Sequence, residues 1–153
     1  MISRLIIASI FTLTSCNSKE TKYYQNFLKY LNEEHNVIID DSSDYLFILL
    51  DIQQCEDCLS SLVELLKTSN IKCANIFLAG SNSIQERELK QKLIPSNLIY
   101  YDKSKMYLRY EVGFFLAGIV HIERGKMRLY MDYTASKYWQ LGSYVKQLNL
   151  CKD

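Results

Sequence analysis

Apolar positions recur along this chain with two different spacings, and the change from one to the other marks out its elements. From Glu20 to His35, "ETKYYQNFLKYLNEEH" sets Tyr23, Tyr24, Phe27, Leu28 and Leu31 at helical intervals, which predicts an amphipathic helix. "NVIID", Asn36 to Asp40, has the composition of a short strand, and "DDSSD", Asp40 to Asp44, is a polar break. "YLFILLDI", Tyr45 to Ile52, is nearly continuous apolar sequence, as expected for a strand covered on both faces. "QQCEDCLSSLVELLK" then opens a second amphipathic helix that runs to about Thr68.

The second half repeats the alternation. "CANIFLAG", Cys73 to Gly80, reads as another covered strand, "NSIQERELKQKL" as a helix with Asn82 or Ser83 available as its cap, and "NLIYYD" as a third strand after a break at Pro95. "KMYLRYEVG" is a short helix or turn ending near Gly113. "AGIVHIERGKMRLYMDY" alternates around Arg124-Gly125, the pattern of a hairpin whose glycine supplies a positive φ. "ASKYWQLGSYVKQLN" closes as a helix with Tyr138, Leu141, Tyr144, Val145 and Leu148 on one side. Alternating strands and helices followed by a hairpin predict an α/β domain whose central mixed sheet has a parallel core and antiparallel strands at its end.

Composition narrows the class. With 153 residues, 48% of them hydrophobic and 23% charged, the chain is a single folded domain. Twelve tyrosines suit half-buried strand and helix faces without naming a ligand. The net charge is +1, and loss of Arg4 from the 18 basic residues would leave 17 against 17 acids. No basic run or stripe is present, so nucleic acid is not an expected partner.

The first residues form a separate object. "MISRLIIASIFTLTSC" carries one cation, Arg4, and an apolar run from Leu5 to Leu13. That run is shorter than the roughly 20 residues a membrane-crossing helix needs, and it fits the hydrophobic part of an export signal. "LTSC", Leu13 to Cys16, resembles a bacterial lipobox. The resemblance implies a signal peptide over residues 1–15, lipidation of Cys16, a flexible tether over 16–22 and the folded domain over 23–153. It also implies a membrane-anchored place in the cell envelope, outside the cytoplasm, where thiols can be oxidised.

In element order, from Tyr45 to Leu150, the chain resembles the thioredoxin fold, most closely its envelope-anchored, TlpA-like lipoprotein members. The residues that carry the resemblance are "LLDIQQCEDC" at the strand-to-helix junction and "AGIVHIERGKM" in the hairpin. It implies a three-layer sandwich, with the CxxC pair at a helix N-terminus and a C-terminal hairpin and helix. It also implies thiol–disulfide exchange with partner thiol proteins, without metal or organic cofactor. A helix start stabilises a thiolate on the first cysteine, and the second comes round on the same face three residues later. Cys55 is therefore the expected nucleophile and Cys58 the resolving thiol.

Local charge opposes that activation. Asp51, Glu56 and Asp57 surround the pair, and the nearest following cation in sequence is Lys67. Negative neighbours disfavour a thiolate, which points to a reductant or relay rather than a strong oxidant. The family's cis-proline position falls on Ala117, next to Gly118, in the expected substrate-side loop. A non-proline cis bond costs about 2.5–4 kcal/mol, so a trans peptide is expected. Gln54 stands where the family usually has tryptophan, and Leu49 where members often bury an acid.

Other readings stay open at this point. Cys55 and Cys58 could form an inert disulfide, or the domain could be a non-catalytic surface lipoprotein that binds a protein or glycan. A closed zinc site wants four ligands, and beyond the pair only Cys73, Cys151, His35 and His121 are available. His121 reads as a packed strand histidine, although its closeness in chain to Ala117 would allow a seat near the dithiol. Cys73 reads as a small buried hydrophobe. A Cys73–Cys151 bridge would pin the last helix.

Overall fold

The computed structural model describes residues 18–53, 56–69, 71, 73–81, 83–93, 97–132, 138–148 and 150. The described elements are α1 (Ser18–His35), β1 (Asp44–Asp51), α2 (Glu56–Thr68), β2 (Asn75–Ala79), α3 (Ser83–Lys92), β3 (Leu98–Asp102), α4 (Met106–Arg109), β4 (Ala117–Glu123), β5 (Lys126–Asp132) and α5 (Tyr138–Gln147). One five-stranded sheet runs in the order β3-β2-β1-β4-β5. β1, β2 and β3 are parallel neighbours, whereas β4 pairs antiparallel with both β1 and β5. The α/β class and mixed sheet expected from the alternation are present, in an architecture compatible with a thioredoxin-like sandwich.

The nearly unbroken apolar run of β1 has its expected cause. Leu46, Ile48 and Leu50 point into one cluster, with Leu62, Leu65 and Leu66 of α2 and Leu141 and Val145 of α5. Phe47 and Leu49 point into the other, with Phe27, Tyr30 and Leu31 of α1 and Tyr107 of α4. Side chains alternate across a strand, so only a strand packed on both faces has no polar face to show. At about 25 cal/mol per Å² of apolar surface, each such side chain contributes roughly 1.5–3 kcal/mol on burial.

Two local expectations change. Asn36–Asp40 is not a strand: Asn36 ends α1 in the left-handed region at φ 54, and Val37 N–H turns back to the carbonyl of Leu31 at 3.0 Å. Those bonds use the donors that a strand ladder would have needed. At the other end α1 begins at Ser18, so residues 18–22, expected in the tether, are helical. Lys22 there pairs with Glu111 at 3.2 Å on the protein surface. Arg124 (φ 48) and Gly125 (φ 72) connect β4 to β5, the positive-φ pair that a two-residue antiparallel connection prefers.

Candidate functional site

The register of the parallel strands sets Asp51, Ala79 and Asp102 side by side at the carboxyl edge of the sheet. That edge is where ligand and reaction sites of open α/β sheets usually form. The CEDC pair belongs to the same edge in sequence. Cys55 and Gln54 lie outside the described residues; the backbone of Cys58 is in the first turn of α2, which starts at Glu56. Cys16 also lies outside the described residues. Ala117 opens β4 opposite Leu50, and Gly118 lies opposite Leu49. Ala117 therefore flanks the end of β1 from which the CEDC segment departs. No peptide bond among the described residues is cis, as expected for Ala117.

The best-defined chemistry at this edge was not legible in the sequence. Asp51 has no exposed side-chain surface, and its carboxylate meets the Lys105 ammonium at 2.8 Å through Oδ2 and 3.1 Å through Oδ1. The Tyr107 hydroxyl donates to Oδ2 at 2.9 Å and Gln53 N–H donates to Oδ1 at 3.1 Å. A buried charge needs a partner and filled hydrogen-bond positions, and this one has both. The Tyr107 hydroxyl is held protonated, its pKa raised by burial and then by its hydrogen bond to Asp51. It can donate a hydrogen bond to Asp51 across the ordinary pH range.

Asp102 organises the approach of Lys105. Its Oδ1 accepts Met106 N–H at 2.8 Å, and its Oδ2 accepts Tyr107 N–H at 3.0 Å and the Tyr30 hydroxyl at 3.1 Å. A carboxylate is thus aimed at the amides that open α4, as an anion at a helix start should be. Lys105, immediately before that helix, takes a left-handed conformation at φ 53 and carries its side chain back over the sheet edge. Gly80 makes this possible: a Cβ there would stand 2.6 Å from Lys105 Cε. Asp51 N–H also donates to the carbonyl of Leu116 at 2.8 Å, tying the end of β1 to the residue before Ala117. Phe115, beside it, is 74% exposed.

These contacts correct the charge picture drawn from sequence. Proximity along the chain left Asp51 as an unopposed anion with Lys67 as the nearest cation. In the fold, Lys105 neutralises it. Leu49 is buried among apolar residues, and the buried acids at this edge are Asp51 and Asp102. A following Gly80 and a distant lysine carry no local pattern that would reveal the pairing.

The other candidates resolve away from this edge. His121 pairs across β1 with Leu46, five positions before Asp51. Its Nδ1 is 2.6 Å from the Tyr144 hydroxyl of α5. It is a packed strand histidine, as expected, and not a neighbour of the CEDC edge. His35 packs its ring against Tyr30, Phe77 and Tyr100. Burial lowers the pKa of both histidines. Among the described residues, no group of three or more His, Cys, Asp or Glu could hold a metal ion. Cys73 is disulfide-bonded, which replaces the reading of a small buried hydrophobe.

No family model, curated protein or solved structure matches the chain.

Proposed function

We propose that the protein is a thiol–disulfide oxidoreductase of the bacterial envelope, built as a thioredoxin-like sandwich and tethered through lipidated Cys16. The observation that carries this reading is the start of α2 at Glu56, directly after Cys55 and at the carboxyl end of the central strand β1. A 13-residue helix offers unpaired N–H groups and partial positive charge at that end. Cys73 being disulfide-bonded supports an oxidising location. Among the described residues no helix is long and apolar enough to cross a membrane.

In this reading the Cys55 thiolate attacks a substrate disulfide, giving a mixed disulfide and releasing one substrate thiolate. The Cys58 thiolate then attacks the Cys55 sulfur, releasing the second. Two electrons pass to the substrate, and a partner dithiol protein restores the reduced pair. Asp51, neutralised by Lys105 and hydrogen-bonded by Tyr107, withdraws one of the three local carboxylates from opposition to the Cys55 thiolate. Glu56 and Asp57 remain beside the pair in sequence and still favour a reductant or relay over a strong oxidant.

The second reading is a non-catalytic lipoprotein of the same fold that binds a protein or glycan. The trans peptide at Ala117 favours it, because the proline backbone that docks substrate in the family is replaced. Reduction of a model protein disulfide by the soluble mature chain, with a small dithiol as electron source, distinguishes the two. The wild type is expected to accelerate the reaction, Cys55→Ser to abolish the acceleration, and Cys58→Ser to accumulate a mixed disulfide. Undiminished catalysis by Cys55→Ser would remove the nucleophile from the account, and an inactive wild type would favour the binding reading.

A further inference from the structure

The partner of Cys73 can be found by position. Cys73 stands two residues before β2, whose first residue, Asn75, aligns with Phe47. The CEDC pair follows Asp51, which aligns with Ala79 at the far end of β2. Strands rise about 3.3 Å per residue, so the length of β2 alone separates the two ends by roughly 13 Å. A disulfide needs Cα atoms within about 7 Å. Cys58 belongs to the α2 turn at the same far end, and α2 takes until Thr68 to return. The end of β1 and the first turn of α2 are therefore beyond bridging distance of the entry to β2, where Cys73 stands.

Cys16 precedes α1 by two positions in sequence, and α1 covers the other face of the sheet. Cys73 packs against the cluster shared by α2 and α5, whereas α1 packs into the opposite cluster. The start of α1 is also held far along the sheet, since the carbonyl of Tyr23 accepts the Tyr130 hydroxyl at 3.1 Å. Tyr130 is in β5, three strands from β2, or about 14 Å at the usual strand spacing.

One cysteine remains, and a described neighbour points to it. Leu150 is buried in the cluster against which Cys73 packs, and Cys151 is the next residue. We infer that Cys73 is bonded to Cys151, forming a clasp that ties the segment after α5 to the entry of β2. The bond forms when both thiols exchange with the disulfide of an oxidised dithiol protein. Two electrons and two protons leave the pair, and the oxidant departs as two thiols. The protein then carries two sulfur centres at opposite ends of one sheet, a structural clasp and the CEDC pair. The clasp does not depend on the exchange reading.

The test is peptide mapping of the full chain, exported through an oxidising compartment, purified without reductant and alkylated before digestion. A linked pair of peptides containing Cys73 and Cys151 is expected, and it is expected to persist in the Cys55→Ser/Cys58→Ser double variant. Cys73 linked to Cys16, Cys55 or Cys58, or recovered alkylated from the unreduced chain, would overturn the assignment. Loss of exchange activity in the double variant with the linked peptides intact would separate the two sulfur centres. An inactive wild type with the linked peptides intact would sink the exchange reading alone.

Discussion

Lys105 and Asp51, 54 positions apart in the chain, form an ion pair of 2.8 Å in which the carboxylate has no exposure and the lysine side chain 22%. The lysine reaches it across Gly80, whose missing side chain leaves the passage open. The pair closes the carboxyl edge of the sheet at the point where the CEDC segment leaves β1.

Removing the lysine should therefore be costly. Lys105→Met leaves a buried, uncompensated carboxylate, and such a change usually costs about 3–5 kcal/mol. Lys105→Met with Asp51→Asn removes both charges and should recover part of that loss, as a double-mutant cycle of urea midpoints would record. Gly80→Ala should weaken the same pair, since the new methyl meets Lys105 Cε and the position sits at φ +66. The left-handed backbone alone costs an alanine roughly 1–2 kcal/mol. Additive losses from Gly80→Ala and Lys105→Met would show that the passage does not hold the pair.

Acid should destabilise the fold. His35 and His121 both have pKa values lowered by burial from the ordinary 6.5. Between the lowered value and 6.5 the unfolded chain binds more protons than the folded one, so stability falls as pH falls through that window. Its full contribution is present above the unfolded value. Thermal midpoints from pH 7.5 down to about 5 should decline, and His121→Gln should flatten the decline. A variant profile parallel to that of the wild type would assign the acid sensitivity elsewhere.

Phe115 offers an apolar contact at the same edge without supporting the core. It is 74% exposed, while its neighbour Phe114 is 4% exposed and buried against α1 and β5. Phe115→Ser should change stability by no more than about 0.5 kcal/mol. In the disulfide-reduction assay it should raise KM several-fold with little change in kcat, the pattern of lost uniform binding. Unchanged KM would remove this ring from substrate docking.

Much of the architecture was legible because it is local. The helical spacing of Tyr23 to Leu31, the covered run of β1 and the turn at Arg124-Gly125 each depend on neighbours along the chain. Even there the stripe of α1 was incomplete. Tyr30 is fully buried with its hydroxyl on Asp102, and aromatic residues with a polar tip do not announce which end is satisfied. The apolar residues of "NVIID" suggested a strand where the end of α1 instead captured the backbone donors. The tether was drawn to Lys22 because "NSKETK" is polar, but polar residues also make a solvated first helical turn.

The site divides in the same way. Periodicity along the chain determined the junction between a buried strand and an amphipathic helix, α2, which begins at Glu56, because side-chain spacing alone decides which face of an element is apolar. Tertiary structure alone decided that Asp51 is neutralised by Lys105 and accepts a hydrogen bond from Tyr107, and that Cys73 is bonded. Both depend on groups brought together from distant segments, and the short-range strength of ion pairs, hydrogen bonds and disulfides leaves no trace in local sequence.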